Sequence, residues 1–260
     1  MSDQLDYAGK VVLVTGGGKG VGKGITERFL AAGATVIICG RSVPDTLPSA
    51  DGRSAIFYAA DVRNTEAVDD LFGTIVREFG RLDVLVNNAG GTPFALTADA
   101  SARFHQSMID LNLTSPLLLA IRANAIMQQQ DEGGVVVFIA SVGAFRPSPG
   151  SATYAAAKAG IISLTQSLAV EWAPKVRVVA VSPGLVHTEQ SDLHYGDEEG
   201  LAAVAGTVPL GRMALPTDIG DACVYVASRN AAYVSGVNLT VHGGGERPAF
   251  LTAANVNRPD

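Results

Sequence analysis

The sequence contains little cysteine: only Cys39 and Cys223 occur among its 260 residues. Two cysteines cannot form the multi-bridge framework of small secreted domains, and neither stands at metal-ligand spacing from other ligand residues. The four histidines also lack such spacing. Both cysteines lie in apolar stretches, so we expect them to be small buried hydrophobic residues. The sequence therefore predicts neither a disulfide framework nor a metal site.

Positive charge is also scarce. Lys and Arg number 19 against 25 Asp and Glu, giving a formal net charge of −6, and no basic run is present. Nucleic-acid binding depends on a basic field, so no nucleic-acid partner is expected. No apolar run approaches the ~20 residues of a membrane span, and residues 1–10 carry no apolar signal-like stretch. We therefore expect a cytoplasmic protein without a membrane partner.

Short β-branched runs alternate with longer helical patterns in a chain that is 47% apolar and 17% charged. Such alternation predicts right-handed βαβ units and a parallel sheet covered on both faces. The predicted strands are Val11–Thr15, Thr35–Cys39, Ala55–Ala60, Val84–Asn87, Val135–Ala140, Val176–Val181 and Val237–Val241. The predicted helices include Val21–Ala32, Thr65–Phe79, Ala98–Gln130 and Ala152–Trp172.

We therefore expect a single α/β domain over residues 1–260, a Rossmann-type doubly wound parallel sheet of about seven strands with helices on both faces. Three segments fall outside this pattern. Residues 41–53 are rich in Pro, Ser and Asp and predict a surface loop. Residues 187–207 are polar and punctuated by glycine, which indicates a mobile lid. The tail, 246–260, is expected to run over the surface or onto a neighbouring subunit.

A glycine-rich turn joins the first predicted strand to the first helix. Its sequence is Thr15-Gly16-Gly17-Gly18-Lys19-Gly20-Val21-Gly22. Glycines allow a tight turn and close approach to a pyrophosphate, and the helix N-terminus offers free N–H groups to the phosphates. An ordinary strand–helix turn needs fewer than five glycines, so this turn predicts a dinucleotide site.

The end of the second strand indicates which dinucleotide is bound. An NAD site usually has an acidic residue there for the ribose 2′-hydroxyl, but this strand runs into Gly40 and Arg41. Arg41 suits a 2′-phosphate, and Lys19 in the glycine loop adds a second cation. We expect NADP(H).

Tyr154 and Lys158 lie four residues apart in a predicted helix, so their side chains share one face. A nearby ammonium favours the phenolate form of Tyr, which makes the pair a usable acid/base device. Ser141 follows the strand 135–140, where site residues collect in parallel sheets. The four-residue spacing of Tyr154 and Lys158 alone is common by chance, and the presence of Ser141 at the end of a predicted strand supports the interpretation.

These residues resemble the short-chain dehydrogenase/reductase family, in its single-domain branch. The matching motifs follow the family order across nearly the whole chain. They are the loop Thr15–Gly22, Asp61-Val62, Asn87-Asn88-Ala89-Gly90, Asn112, Ser141, Tyr154-Ala155-Ala156-Ala157-Lys158, and Pro183-Gly184 with Thr188.

The resemblance implies a role for each matched residue. Tyr154 is the general acid or base, Ser141 hydrogen-bonds the substrate oxygen, Lys158 binds the nicotinamide ribose and lowers the pKa of Tyr154, and Asn112 holds a water in a proton relay. The implied cofactor contacts are Gly16, Gly18, Lys19, Gly20, Val21, Gly22, Arg41, Asp61, Val62, Asn88, Ala89, Gly90, Tyr154, Lys158, Pro183, Gly184, Val186 and Thr188. The family also implies a homotetramer that pairs the helices within 98–130 and 152–172.

The substrate pocket is expected between residues 91–94, residues 142–147 and the lid. Its apolar and aromatic content suits a hydrophobic alcohol or ketone. Arg146 either receives an anionic group or is a surface cation. A 3-oxoacyl-thioester reductase and a steroid or terpenoid ketone reductase both remain open. A non-catalytic nucleotide-binding scaffold is disfavoured, because it has no need of Ser141, Tyr154 and Lys158 together.

Overall fold

The computed structural model describes residues 5–254, and seven strands of this part form one parallel sheet. Their order is β5-β2-β1-β6-β7-β8-β9. The strands, with a separate hairpin of β3 and β4, are β1 Val11–Thr15, β2 Thr35–Gly40, β3 Ser49–Ala50, β4 Arg53–Ser54, β5 Ile56–Ala59, β6 Val84–Asn87, β7 Gly134–Ile139, β8 Val176–Pro183 and β9 Asn238–Val241. The predicted α/β Rossmann-type sheet of about seven strands is confirmed.

Helices connect the strands and cover both faces of the sheet. Within the described residues they are α1 Gly20–Ala31, α2 Thr65–Phe79, α3 Ala102–Ile109, α4 Ser115–Met127, α5 Ala152–Glu171, α6 Asp192–Tyr195, α7 Glu198–Gly206, α8 Pro216–Ala227 and α9 Ala249–Ala253. The central helices α1 and α8 pack on one face, and α2, α4 and α5 pack on the other.

Strand β1 shows why the sheet is apolar on both sides. Val12 and Val14 face the core beneath α1 and α8, whereas Val11 and Leu13 face the core beneath α2, α4 and α5. All four side chains are buried. A strand covered by helices on both faces needs a continuous apolar run, which is the pattern its sequence shows.

The structure corrects the predicted continuous helix over 98–130. Ser101 accepts a hydrogen bond from the backbone N–H of Phe104, so α3 begins only at Ala102. A π-helical turn, Asp110–Thr114, then separates α3 from α4. Pro116 has no backbone N–H to donate, and the hydroxyl of Ser115 donates to Asp110 O at 2.8 Å. The regular hydrogen-bond ladder therefore changes at this point.

The predicted surface loop 41–53 also contains structure, because β3 and β4 pair antiparallel across its end. Asp51 and Gly52 between them have φ of 49° and 75°, the left-handed conformation that tight hairpins require. The predicted lid contains α6 and α7. Of the predicted tail, α9 is described, while residues 255–260 lie outside the described residues.

The strand order brings the predicted site residues to one edge of the sheet. Strand β1 lies between β2 and β6, so the chain leaves the sheet in opposite directions on the two sides of β1. Parallel strands end at the same edge, and a crevice opens there at such a switch point. The glycine loop, the segment after β6 and Ser141 after β7 all lie at this edge.

Candidate active site and cofactor cleft

The glycine loop is tied to the segment after β6. Thr15 Oγ1 accepts hydrogen bonds from the N–H groups of Asn88 (3.0 Å) and Ala89 (2.9 Å). In return, Asn88 Nδ2 donates to Thr15 O at 2.9 Å and to Gly16 O at 3.3 Å. Two segments that the sequence separates by more than seventy residues therefore form one rigid floor of the cleft.

Two loop glycines are required by close contacts. A Cβ on Gly22 would lie 2.2 Å from Gly16 O, and a Cβ on Gly17 would lie 2.4 Å from the side chain of Ile38. Gly16 and Gly20 have φ of 63° and 53°, a conformation that favours glycine. The loop is thus a cradle of bare backbone at these four glycines, which is what close approach of a pyrophosphate requires.

The N-terminus of α1 holds an anion from the lid. The backbone N–H of Gly20 donates to Glu189 Oε1 at 2.8 Å. Helix α1 has no acidic residue in its first turn, and its N-cap residue Lys19 makes no side-chain cap bond. Thr188, beside Glu189, approaches the Gly20 backbone. Thr188 therefore lies beside the start of α1, and its cofactor contact stays a prediction. Glu189, which contacts this helix end, was not singled out from the sequence.

Several cations lie at the edge where the sequence predicts the adenosine end of the cofactor. Lys19 and Arg41 are both exposed, and Asp61 is held by Arg63 in a two-bond ion pair of 3.0 and 2.7 Å. The hydrogen bonds from Arg63, with a smaller contribution from the charge of Arg41, lower the pKa of Asp61 to about 2. Val62 is half-buried against the core. Arg63 was missed, and its proximity to Asp61 in sequence was the signal.

Lys158 and Ser141 meet at the end of β7. Lys158 Nζ is buried and donates to Ile139 O at 2.8 Å, and burial lowers the pKa of Lys158 to about 8. The hydroxyl of Ser141 accepts from the N–H of Gly143 at 3.1 Å, so its position is fixed by the turn that follows β7.

Tyr154 lies between these two side chains. Lys158 Nζ is 5.5 Å from the centre of the Tyr154 ring, and Ser141 is close enough to the phenol to lower its pKa. Burial raises the pKa of Tyr154 and outweighs the lowering by Ser141. The expected lowering by Lys158 is therefore not the dominant effect here, because burial disfavours the phenolate more strongly.

Asn112 lies in the π-helical turn and is fully buried. Its Nδ2 donates to Gly91 O (3.1 Å) and Met108 O (3.0 Å), and its Oδ1 accepts from Gly91 N (2.9 Å). A Cβ on Gly90 would lie 2.7 Å from Asn112 Oδ1 and 3.4 Å from Lys158 Nζ. The four predicted catalytic residues therefore converge beside the predicted cleft residues Ala89 and Gly90.

The segment after β8 completes the cleft. Pro183 ends β8, Gly184 N donates to Val241 O at 2.9 Å, and Val186 forms a bridge with Ala214. A Cβ on Gly184 would lie 2.7 Å from His242 Cβ. This segment therefore leads from the sheet edge directly to Thr188 and the lid.

A cavity of about 240 Å³ opens at Val142, in the turn that follows Ser141. It is lined by Val142, Phe145, Arg146, Gly184, Leu185, Val208, His242, Gly245 and Glu246. Arg146 Nη1 donates to Glu246 Oε2 at 2.7 Å, so Arg146 is an ion-paired wall residue, which neither sequence interpretation anticipated. His242 and Glu246 were missed, although the end of strand β9 pointed to this edge. Phe94, which was expected to line the substrate pocket, packs on Gly150 and does not line this cavity.

Between residues 5 and 254, no group of three His, Cys, Asp or Glu side chains is placed to hold a metal ion. No helix in that range is long and apolar enough to cross a membrane.

The parallel sheet, the glycine cradle and the Ser–Tyr–Lys–Asn cluster define a dinucleotide-binding α/β oxidoreductase. Residues 16–246 match the family model described as enoyl-(acyl carrier protein) reductase. The chain is 36% identical to 3β-hydroxysteroid dehydrogenase 1 of Eggerthella lenta (92% of this chain, 94% of the relative). It is also 36% identical to the 3-oxoacyl-(acyl-carrier-protein) reductase of Vibrio cholerae (92% and 98%).

The solved structures give the same result. The ligand-free aldohexose dehydrogenase of Thermoplasma acidophilum superimposes with a TM-score of 0.86 at 28% identity, covering 98% of both chains. The chain belongs to the short-chain dehydrogenase/reductase family. It is accordingly an oxidoreductase of alcohol and ketone substrates that uses a nicotinamide cofactor.

Proposed function

We propose that this protein is an NADP(H)-dependent oxidoreductase that transfers a hydride between nicotinamide and the carbonyl or alcohol carbon of a hydrophobic substrate. The observation that carries the proposal is the convergence of Ser141, Tyr154, Lys158 and Asn112 at the sheet edge that also carries the glycine cradle. When bound, the cofactor supplies or accepts the hydride.

The side chains have distinct roles in this reaction. Tyr154 donates a proton to the carbonyl oxygen, and its raised pKa keeps the phenol protonated at neutral pH. Ser141 donates a hydrogen bond to the same oxygen and stabilises its developing charge. Lys158 holds the nicotinamide ribose and supplies positive charge beside the phenol. The side chain of Asn112 positions the segment at Gly91, and Asn112 holds a water in the proton relay.

The preference for NADP(H) is supported by charge at the adenosine end. No acid lies between Thr35 and Arg41, and the carboxylate of Asp61 is already paired with Arg63. A 2′-phosphate therefore meets Lys19 and Arg41 without an unpaired acid at the end of β2. Each charge-assisted hydrogen bond contributes about 1.5–3 kcal/mol, and exposure moves the value to the lower end.

Two variants test the proposal. Tyr154→Phe should bind NADPH like the wild type and lose turnover of a carbonyl panel that contains acyl thioesters and cyclic ketones. Arg41→Asp should bind NADPH at least about tenfold more weakly and NADH more tightly, whereas Arg103→Asp, an exposed charge on α3, serves as the control. Full turnover by Tyr154→Phe, or an unchanged NADPH to NADH ratio in Arg41→Asp, would refute the respective assignment.

Two substrate classes are supported by relatives. The Eggerthella lenta relative is named for a 3β-hydroxysteroid and the Vibrio cholerae relative for a 3-oxoacyl thioester. The apolar lining by Val142, Leu185 and Val208 accommodates either hydrophobic skeleton. The substrate panel named above compares them directly.

We also propose a cytoplasmic homotetramer. Helices α4 and α5 expose apolar side chains, among them Ile121 at 45% and Val170 at 80%, and burial of such a surface between subunits is favourable. Cys39 and Cys223 are both buried free thiols, which is compatible with a reducing compartment.

A further inference from the structure

The cavity beside Ser141 has an apolar inner part and a charged outer wall. Val142 begins it one residue after Ser141, and Leu185 and Val208 continue the apolar lining. Its outer wall contains Arg146 and Glu246. Because Val142 directly follows Ser141, a substrate whose reacting carbon lies at Ser141 can extend its remote end into this cavity, toward the ion pair.

Glu246 is held opposite Arg146 by the backbone that precedes it. Gly243, Gly244 and Gly245 have φ of 63°, 95° and 88°, so the chain turns back sharply after β9 and returns over the cavity.

Hydrogen bonds to the end of the lid and to the residues just after it fix this turn. Leu210 N donates to Gly243 O at 3.1 Å, and Arg247 N donates to Thr207 O at 3.2 Å. Glu246 is therefore positioned from both sides, and the pair does not depend on a freely moving surface carboxylate.

The pair neutralises its own charge inside the substrate pocket. Arg146 and Glu246 are 2.7 Å apart, with their side chains 42% and 32% exposed. The charges of Arg146 and Glu246 act on the pKa of the half-buried Tyr195 phenol on α6 in opposite directions: Arg146 lowers it and Glu246 raises it. The remaining polar group in the lining is His242. The outer wall thus offers donors and acceptors but no uncompensated positive charge.

We propose that the Arg146–Glu246 pair makes the pocket select substrates whose remote end is uncharged and bears a hydroxyl group, and reject substrates with a carboxylate or phosphate there. This inference rests on the proposed function. A hydroxyl can donate to the Glu246 carboxylate and accept from the Arg146 guanidinium while the pair stays intact. An anion can also approach the remaining N–H groups of Arg146, but Glu246 already compensates the charge of the guanidinium and its carboxylate repels the anion.

The test uses straight-chain methyl ketones of increasing length, each made with a methyl, a hydroxymethyl or a carboxylate terminus. NADPH consumption gives kcat/KM for each. At the length that reaches the pair, the wild type should favour the hydroxyl over the carboxylate by about tenfold, the lower end expected for one charge-assisted contact. Glu246→Gln leaves Arg146 unpaired and should raise the value for the carboxylate by about tenfold.

Two further variants sharpen the result. Arg146→Met leaves the Glu246 carboxylate unpaired, so discrimination against the carboxylate should increase. Glu199→Gln makes the same chemical change at an exposed position of the lid and should leave the ratio unaltered. An equal hydroxyl-to-carboxylate ratio in the wild type and Glu246→Gln overturns the proposal.

A binding measurement separates this inference from the proposed function. Carboxylate ligands of the same lengths are titrated into the NADPH complex, with nucleotide fluorescence as the readout. If NADPH binds but the wild type reduces none of the ketones, the proposed function fails, and tighter carboxylate binding by Glu246→Gln still supports the role of the pair. If that variant gains no carboxylate binding, the role of the pair is wrong.

Discussion

Removing the carboxylate of Glu189 should strengthen dinucleotide binding. Glu189 Oε1 accepts a hydrogen bond of 2.8 Å from Gly20 N, at the helix N-terminus where a pyrophosphate is expected. If the pyrophosphate binds where we propose, both anions require the same N–H group, and the dinucleotide must displace Glu189. In the wild type, part of the binding free energy is consumed by this displacement.

The magnitude follows from the contact. A hydrogen bond to a charged group contributes about 1.5–3 kcal/mol and the helix dipole about 0.3–1 kcal/mol at an exposed site. Glu189 is exposed, so solvent screening reduces the total to about 1–2 kcal/mol. Glu189→Ala should therefore bind NADPH about five- to thirtyfold more tightly. Glu189→Gln, which keeps an acceptor and loses the charge, should show a smaller gain.

Fluorescence titration of NADPH and NADH checks this prediction. The pyrophosphate is common to both, so both affinities should rise by the same factor, unlike the change in ratio expected from Arg41→Asp. Asp192→Asn is the matched control, because it removes an exposed lid carboxylate without the bond to Gly20. Unchanged affinities in Glu189→Ala, or an equal gain in Asp192→Asn, would show that the Glu189 contact does not compete with the cofactor.

Three further predictions concern stability and assembly. Burial lowers the pKa of Lys158 from 10.5 to about 8. Between these pH values the unfolded chain holds a proton on Lys158 that the folded chain lacks, so the free energy of unfolding of the wild type, relative to that of Lys158→Met, should rise with pH by up to about 3 kcal/mol in denaturant titrations. A difference that stays flat from pH 8 to 10.5 contradicts the lowered pKa. Gly22→Ala places a Cβ 2.2 Å from Gly16 O, so this variant should lose NADPH binding and thermal stability. Gly73→Ala on α2 is the matched control: its Cβ meets no atom within 4 Å, and its free energy of unfolding should rise by up to about 1 kcal/mol. Light scattering should show a tetramer, and Val170→Asp on α5 should weaken it; a wild-type monomer would refute the assembly.

The parallel sheet and its sequence of elements could be predicted from local pattern. Apolar runs such as Val11–Thr15 are long enough for strands covered on both faces, and the helices between them show their own period. The glycine loop could be predicted because its glycines are required by backbone contacts within the turn itself. Gly22, for example, lies against Gly16, six residues earlier. Tyr154 and Lys158 likewise share a helix face through spacing alone.

Other local features were missed because they depend on competing hydrogen bonds. The π-helical turn that carries Asn112 arises where Pro116 withdraws a donor and Ser115 bonds to Asp110. A helical pattern in the sequence continues through that point, so it predicted one helix over 98–130.

The sequence by itself determined the seven strands of the parallel sheet, the helices α1, α2 and α5, the glycine cradle and the family motifs, since each is a property of residues close together in the chain. Only the tertiary structure decided which distant side chains meet. Arg146 and Glu246 are separated by 100 residues, and Gly20 and Glu189 by 169. Periodicity carries no information about such pairs, because their contact is set by the strand order and by the path of the loops across the sheet edge. The charge available to a substrate in the pocket was therefore decided by the fold.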